Sequence, residues 1–196
     1  MTRGTFIVFY GINNLGKSTQ AKLLAERLNA QEHAAEYVKY PMYALAPSGP
    51  IINEYLRGGN PQNLDFREFQ ILNALNRTQY EATLNAKLDA GTHVISEDYT
   101  GSGLAWGMGA GVDEQFLKAI NSHLTKENIV FLFDGDRFKE AVEASHQYEQ
   151  NDALTETVRS AYKKLAAEYN WNIIHANQSI EAIQEQIWQI VKNRLG

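Results

Sequence analysis

The sequence predicts a three-layer α/β fold: a five-stranded parallel sheet with helices on both faces. Three observations predict it. Five short runs are β-branched or aromatic and almost continuously apolar, helical periodicities lie between them, and the chain has neither internal repeat nor low-complexity tract. Strands buried on both faces lose the apolar–polar alternation of a half-exposed strand. Strand–helix alternation along a whole chain places the strands parallel, with crossover helices covering the sheet.

The first run is TFIVFY at 5–10, and STQAKLLAERL follows it with apolar residues at three-and-four spacing. AEYVKY at 35–40 is the second run. YPMYALAPSGP at 40–50 is the stretch richest in turn residues and reads as a loop at a strand end. HVIS at 93–96 and IVFLFD at 129–134 are the third and fourth runs. DALTETVRSAYKKLAAEY again has helical spacing and leads to the fifth run, WNIIHA at 171–176. In the last segment Ile180, Ile183, Ile187, Ile190 and Val191 form one helical stripe, with Ser179 placed to cap it. GMGAG at 107–111 follows no strand, so it reads as a flexible loop rather than a dinucleotide site.

With 196 residues, 44% of them hydrophobic, the chain fits one domain with a full core, spanning 1–196. A formal charge of −5 argues against nucleic-acid or anionic-membrane partners, which recruit basic surfaces. The chain has no cysteine, which excludes disulfides and thiolate chemistry. No apolar run approaches the roughly 18 residues of a membrane span, and FIVFY is too short for a signal peptide. The expected setting is soluble and cytoplasmic. The histidines lack metal-type spacing, so no zinc site is expected.

Ligands of parallel sheets bind outside the carboxyl ends of the strands. Four of the five runs are followed there by polar or glycine-rich sequence, GINNLGKS, PMY, EDYTGSG and DGDR, which should share one rim. The first is a Walker A pattern, Gly11-x4-Gly16-Lys17-Ser18, with a strand before it and a helix after it. Its glycines let consecutive N–H groups point at phosphate oxygens, and the helix adds its positive end. The expected nucleotide contacts are Gly11, Asn13, Asn14, Leu15, Gly16, Lys17, Ser18 and Thr19. Lys17 would reach the β- and γ-phosphates, and the Ser18 hydroxyl would hold Mg2+. An ordinary strand–turn–helix with a surface lysine is the bland alternative.

Beyond this loop the chain resembles the thymidylate kinase family along nearly its whole length. FYGINNLGKSTQAKLLAERL keeps the family's Phe9, Gly11 and the run from Gly16 to Gln20. LNALNRTQYEATLNAKLDAG is similar to the family's Asn-Arg, long helix and Gly, and ISEDYTGSGLAWG to its Asp-Arg-Tyr segment. The resemblance implies a P-loop nucleoside monophosphate kinase fold and transfer of the ATP γ-phosphate to thymidine 5′-monophosphate (dTMP), with Mg2+, by a homodimer. It also implies a short lid at about 145–153, where SHQYEQND matches. The chain departs from the family at several positions. Tyr10, Asn13, Tyr43 and Asn73 replace a Glu, an Asp, an Arg and a base-stacking aromatic; Glu97-Asp98 replaces Asp-Arg; Gln147 replaces the lid arginine, and the phosphate loop has no arginine either.

In-line transfer needs the charge on the equatorial oxygens neutralised by metal and fixed cations. By its match to the family's Asn-Arg, Arg77 is expected to face the acceptor phosphate; the alternative is a surface arginine pairing with Glu81 at i+4. Lys39 would be a second acceptor cation. Phe69, Asn73, Asp98, Tyr99 and Gly103 would frame the acceptor, and Glu97 would hold Mg2+ together with Ser18. Arg137, read as opening a helix beside the lid, is the nearest replacement for the missing catalytic arginine, so the expected catalytic set is Lys17, Glu97 and Arg137. Arg159 resembles a late-helix arginine of the family. Two alternatives stay open: a kinase for another nucleoside monophosphate, prompted by Asn13, Asn73 and Asp98, and a nucleotide-binding regulatory protein that has lost transfer, prompted by the missing arginines.

Overall fold

Five parallel strands stand where the apolar runs predict them. In the computed structural model, which describes residues 2–138 and 152–195, the elements run β1 (Phe6–Tyr10), α1 (Lys17–Ala30), β2 (Ala35–Lys39), α2 (Ser48–Arg57), α3 (Phe66–Asp89) and β3 (His93–Glu97). They continue as α4 (Thr100–Gly109), α5 (Glu114–Ile120), β4 (Ile129–Asp134), α6 (Asp152–Tyr169), β5 (Asn172–His175) and α7 (Ile180–Leu195). The strand order is β2-β3-β1-β4-β5. The chain therefore leaves β1 first to one side and later to the other, and this reversal opens a crevice at the carboxyl end of β1. One rung crosses the whole sheet, linking Lys39, Glu97, Phe9, Phe131 and Asn172.

Every residue of β1 is buried, as a central strand covered on both faces requires. The main core packs these strands against Leu24 and Leu28 of α1, Val158 and Leu165 of α6, and Ile187 and Val191 of α7. A smaller cluster, Ile52, Tyr55, Leu56 and Phe69, joins α2 to α3 and forms one wall of the crevice.

Two expectations about loops need correction. Residues 48–50 of the turn-rich stretch belong to α2. The cause lies far away in sequence: the Asn76 amide accepts from Met42 N at 2.8 Å and donates to Met42 O at 3.1 Å and Ser48 Oγ at 2.9 Å. Likewise the first three residues of GMGAG end α4 instead of forming a loop. There a Cβ on Gly107 would lie 2.7 Å from Leu117 and one on Gly109 2.5 Å from Val158, so these glycines admit α5 and α6 at close range. Elsewhere local signals hold. Asp65 and Glu68 form a capping box that starts α3, and the Ser179 hydroxyl accepts from Ala182 N at 3.2 Å at the start of α7.

Residues 135–138 are irregular, so no helix opens at Arg137 among the described residues. The expected lid at 145–153, with Gln147 and Tyr148, lies outside the described residues apart from Asp152 and Ala153, which open α6. No helix among the described residues is long and apolar enough to cross a membrane.

Candidate active site

The site is built from the phosphate loop upward. Asn14 and Gly16 take left-handed backbone angles, φ 64° and 80°, which turn successive N–H groups to one side. α1 starts at Lys17 with no side-chain cap, leaving its first N–H groups for an anion. Gly11 has φ 138°, and a Cβ there would lie 2.5 Å from Phe133 O, so the loop requires glycine where it leaves β1. The Lys17 amine donates to Gly11 O at 2.9 Å and Ile12 O at 2.8 Å, folded over the loop that it belongs to. Asn14 O accepts from Phe138 N at 2.9 Å, which ties the segment after β4 to the loop.

Beside the loop, Glu97 gathers three donors. It accepts from Ser18 Oγ at 2.5 Å, Tyr37 OH at 2.7 Å and Lys39 Nζ at 3.0 Å. Burial alone would raise its carboxyl, but the charges of Lys17 and Lys39 and the bonds from Ser18 and Tyr37 hold it below the ordinary carboxylate value. Its neighbour behaves oppositely. Burial pushes the Asp98 carboxyl up and Glu97 adds to this, against Lys17 and a bond from Ser102 Oγ at 2.6 Å.

These groups open onto a cavity of about 960 Å³. Asn13 to Thr19 line one end of it. Lys39, Phe69, Asn73, Arg77, Glu97, Asp98, Tyr99 and Gly103 line further parts of it, so the segments after β1, β2 and β3 meet α3 at one rim. Gly11 and Arg137 are not among the lining residues. Arg137 pairs with Asp152 at 3.4 Å, one residue before Phe138, which does line the cavity. Arg159 is bonded to Asp134 at 2.5 Å.

Several placements sharpen the sequence expectations. Arg77 does not lie on the surface: it is 4% exposed, and its Nη1 donates to Asn121 Oδ1 at 3.0 Å. Glu81, its i+4 neighbour, instead accepts from Tyr99 OH at 3.1 Å and Thr125 N at 2.6 Å. Gly103 serves that arginine, since a Cβ there would lie 2.8 Å from Arg77 Nη2. The Tyr99 ring meets the cavity from within the core, edge-on to Phe6 at 5.0 Å. Phe69 stacks on Tyr55 at 3.8 Å, and Asn73 Nδ2 donates to Phe69 O at 2.9 Å. Tyr10, the departure in the first strand, is buried away from the cavity; its hydroxyl donates to Glu127 at 2.5 Å and accepts from Gly101 N at 3.0 Å.

Sequence reasoning missed two parts of the wall. Arg57 lines the cavity with its guanidinium 4.9 Å from the Tyr43 ring centre, so a cation reaches the place where Tyr43 replaces an arginine. Ala176, Gln178, Ser179 and Ile180 line the end beside α1, and Phe138, 45% exposed, borders it. No motif marks Arg57, Phe138, Ala176 or Gln178 as cavity residues, and Ser179 and Ile180 read only as the start of a helix; the signal for the segment past β5 is the rule that ligands sit past strand ends.

Comparison with known proteins agrees with this fold. A family profile described as Thymidylate kinase matches residues 9–187. The chain is 33% identical over 196 residues to a probable thymidylate kinase of Methanocaldococcus jannaschii, covering 98% of each chain. It is 30% identical over 192 residues to a thymidylate kinase of Dictyostelium discoideum, covering 96% of this chain and 85% of that one. A solved thymidylate kinase of Candida albicans superposes with a TM-score of 0.84 at 22% identity, covering 98% of this chain and 92% of that one, and so shares the fold. With its phosphate loop, its sheet order and a profile match over nearly its whole length, the chain belongs to the thymidylate kinase family.

Proposed function

We propose that the chain transfers the γ-phosphate of ATP to dTMP, giving dTDP, within one kinase domain spanning 1–196. One observation carries this reading: the phosphate loop, the Ser18–Glu97 pair and the buried Arg77 face a single cavity. The loop and Lys17 bind the donor phosphates, Arg77 and Lys39 hold the acceptor phosphate, and the cavity keeps the two in line. Ser18 and Glu97 fit Mg2+, which takes one or two carboxylates and fills its remaining positions with phosphates and water. That ion would draw charge from the transferring group. Arg137 is assigned to the same charge, supported by its place one residue before Phe138, which lines the cavity. A cytoplasmic setting is part of the same proposal. A homodimer through α3 is supported by Ile71 and Leu75, four residues apart and 48% and 42% exposed.

A second reading is favoured by Asp98 and Asn73, which present a carboxyl and an amide on the acceptor side: an acceptor other than dTMP, bearing a base amino group. Measuring ADP release with ATP and Mg2+ over all nucleoside and deoxynucleoside monophosphates separates the two. Selective response to dTMP supports the first; selectivity for an amino-bearing base supports the second; ATP binding without response to any acceptor overturns both. In the same assay Arg77→Ala should raise the acceptor KM by about 10- to 100-fold, the worth of a charged hydrogen bond, with little change for ATP. Arg137→Ala should lower kcat more than it raises either KM.

A further inference from the structure

By its own sequence α4 is a weak helix. TGSGLAWGMG holds four glycines in ten residues, and glycine is among the poorest helix formers. Its N-cap, Tyr99, makes no side-chain cap bond, and its first turn has no acidic residue. The glycines are nonetheless required, because neighbours come close. A Cβ on Gly101 would lie 2.7 Å from the Tyr10 ring and 2.8 Å from Trp171, and one on Gly103 2.8 Å from Arg77 Nη2. A helix that admits such contacts needs support from other elements.

Tyr10 and Glu127 give that support. The Tyr10 hydroxyl accepts from Gly101 N at 3.0 Å, one of the N–H groups that a helix start leaves without an internal partner. The same hydroxyl donates to Glu127 Oε1 at 2.5 Å, and Thr100 Oγ1 donates to that oxygen at 2.7 Å. Burial, with Glu127 adding to it, keeps the proton on the phenol, so the hydroxyl donates one way and accepts the other. The Tyr10 ring is held by Trp171, 4.8 Å between ring centres. Glu127 is held by its chain neighbours: Thr125 N donates to Glu81 Oε1 at 2.6 Å, and Asn128 Oδ1 accepts from Phe6 N at 2.7 Å. Segment 125–128 thereby ties α3, α4 and β1 together.

We infer that Tyr10 and Glu127 are positioning residues: bound to each other, they cap α4 from outside and fix the cavity wall that α4 carries. That wall is Ser102, Gly103 and Trp106, with Gly103 against Arg77. The inference rests on the reading of this side as the acceptor side. The phosphate loop begins next to Tyr10, at Gly11, but loss of the hydroxyl alone leaves the ring in place. Loosening α4 should therefore weaken the acceptor and spare ATP.

The experiment uses the full chain with Tyr10→Phe, Glu127→Ala, Glu127→Gln and the Tyr10→Phe/Glu127→Ala double variant. ADP release is measured over a range of dTMP and, separately, of ATP with Mg2+, alongside thermal melts. Tyr10→Phe is expected to raise KM for dTMP about three- to tenfold, the worth of one hydrogen bond, with KM for ATP within about twofold. Glu127→Ala, at a half-buried position, should do the same, and the double variant should add little, since both changes break one unit. Glu127→Gln keeps an acceptor oxygen and should stay within about twofold of the unchanged chain. A lowered Tm with both KM values unchanged would make the pair merely structural and overturn the inference. So would equal rises for dTMP and ATP, additive effects in the double variant, or Glu127→Gln as damaging as Glu127→Ala. If Tyr10→Phe does not fold, the two Glu127 variants decide by the same KM comparison. If the unchanged chain does not respond to dTMP, the acceptor reading falls and this inference with it. If it responds and the variants keep its KM for dTMP, the inference falls alone.

Discussion

Asp98 sits at φ 62°, a left-handed conformation that aspartate and asparagine tolerate better than most side chains. The turn is pinned by its own N–H donating to Phe9 O at 3.0 Å and by Ser96 Oγ donating to its carbonyl at 2.7 Å. The two neighbouring carboxyls thereby reach different partners, Glu97 toward Lys39, Tyr37 and Ser18, and Asp98 toward Ser102. They then affect stability with opposite signs. Glu97 is held below the ordinary value of about 4.3, so its contribution is present above that value and lost as pH falls through its folded value. Asp98 is raised above its ordinary value of about 3.9, so its contribution is full below that value and lost as pH rises through its folded value. Asn fits the same turn and keeps the bond from Ser102. Asp98→Asn is therefore expected to raise Tm at pH 8, with the gain shrinking toward pH 4. Melts across that range check it, and a gain that grows toward acid would contradict the assignment.

Among the elements, α4 shows best what packing adds to sequence. Its glycines stand where α5 and α6 come close, and Gly109→Ala should push α6 away through Val158. The expected cost is about 1–3 kcal/mol, as for other overpacked contacts, read as a lower urea midpoint with turnover retained in the folded fraction. The same contrast explains what was legible in the sequence. The strands could be read because burial on both faces leaves a local mark, FIVFY being the plainest. The phosphate loop could be read because backbone geometry demands its glycines, and α7 because Ser179 and an isoleucine stripe announce it. The start of α2 could not: Pro47, Gly49 and Pro50 look like a loop, and the stabilising amide is Asn76 on another helix. Nor could the helical end of α4, since Leu117 and Val158 supply the reason for Gly107 and Gly109. In the site, Glu97 and Arg77 stood in matching motifs, whereas Asn121, Arg57 and Ala176 come from segments that only the folded chain brings together.

At the scale of the whole molecule, the exposed pair on α3 carries the prediction of assembly. Two large apolar side chains one turn apart on a surface helix form a contact stripe that a second copy would cover. Under the proposed assembly, Ile71→Glu combined with Leu75→Glu should shift a dimer to monomer in light scattering, with Tm changed little at high dilution. A dimer that persists would place the interface elsewhere. The sheet itself links assembly of the chain to its chemistry in another way. Lys39, Glu97 and Phe9 lie on one rung, and a one-residue slip of β3 would turn Glu97 to the opposite face and away from Ser18. A misthreaded sheet could keep its helices and most of its ellipticity while losing its proposed metal carboxylate. In a refolding experiment, turnover per chain would then count correctly registered molecules, whereas circular dichroism would count registered and slipped molecules alike.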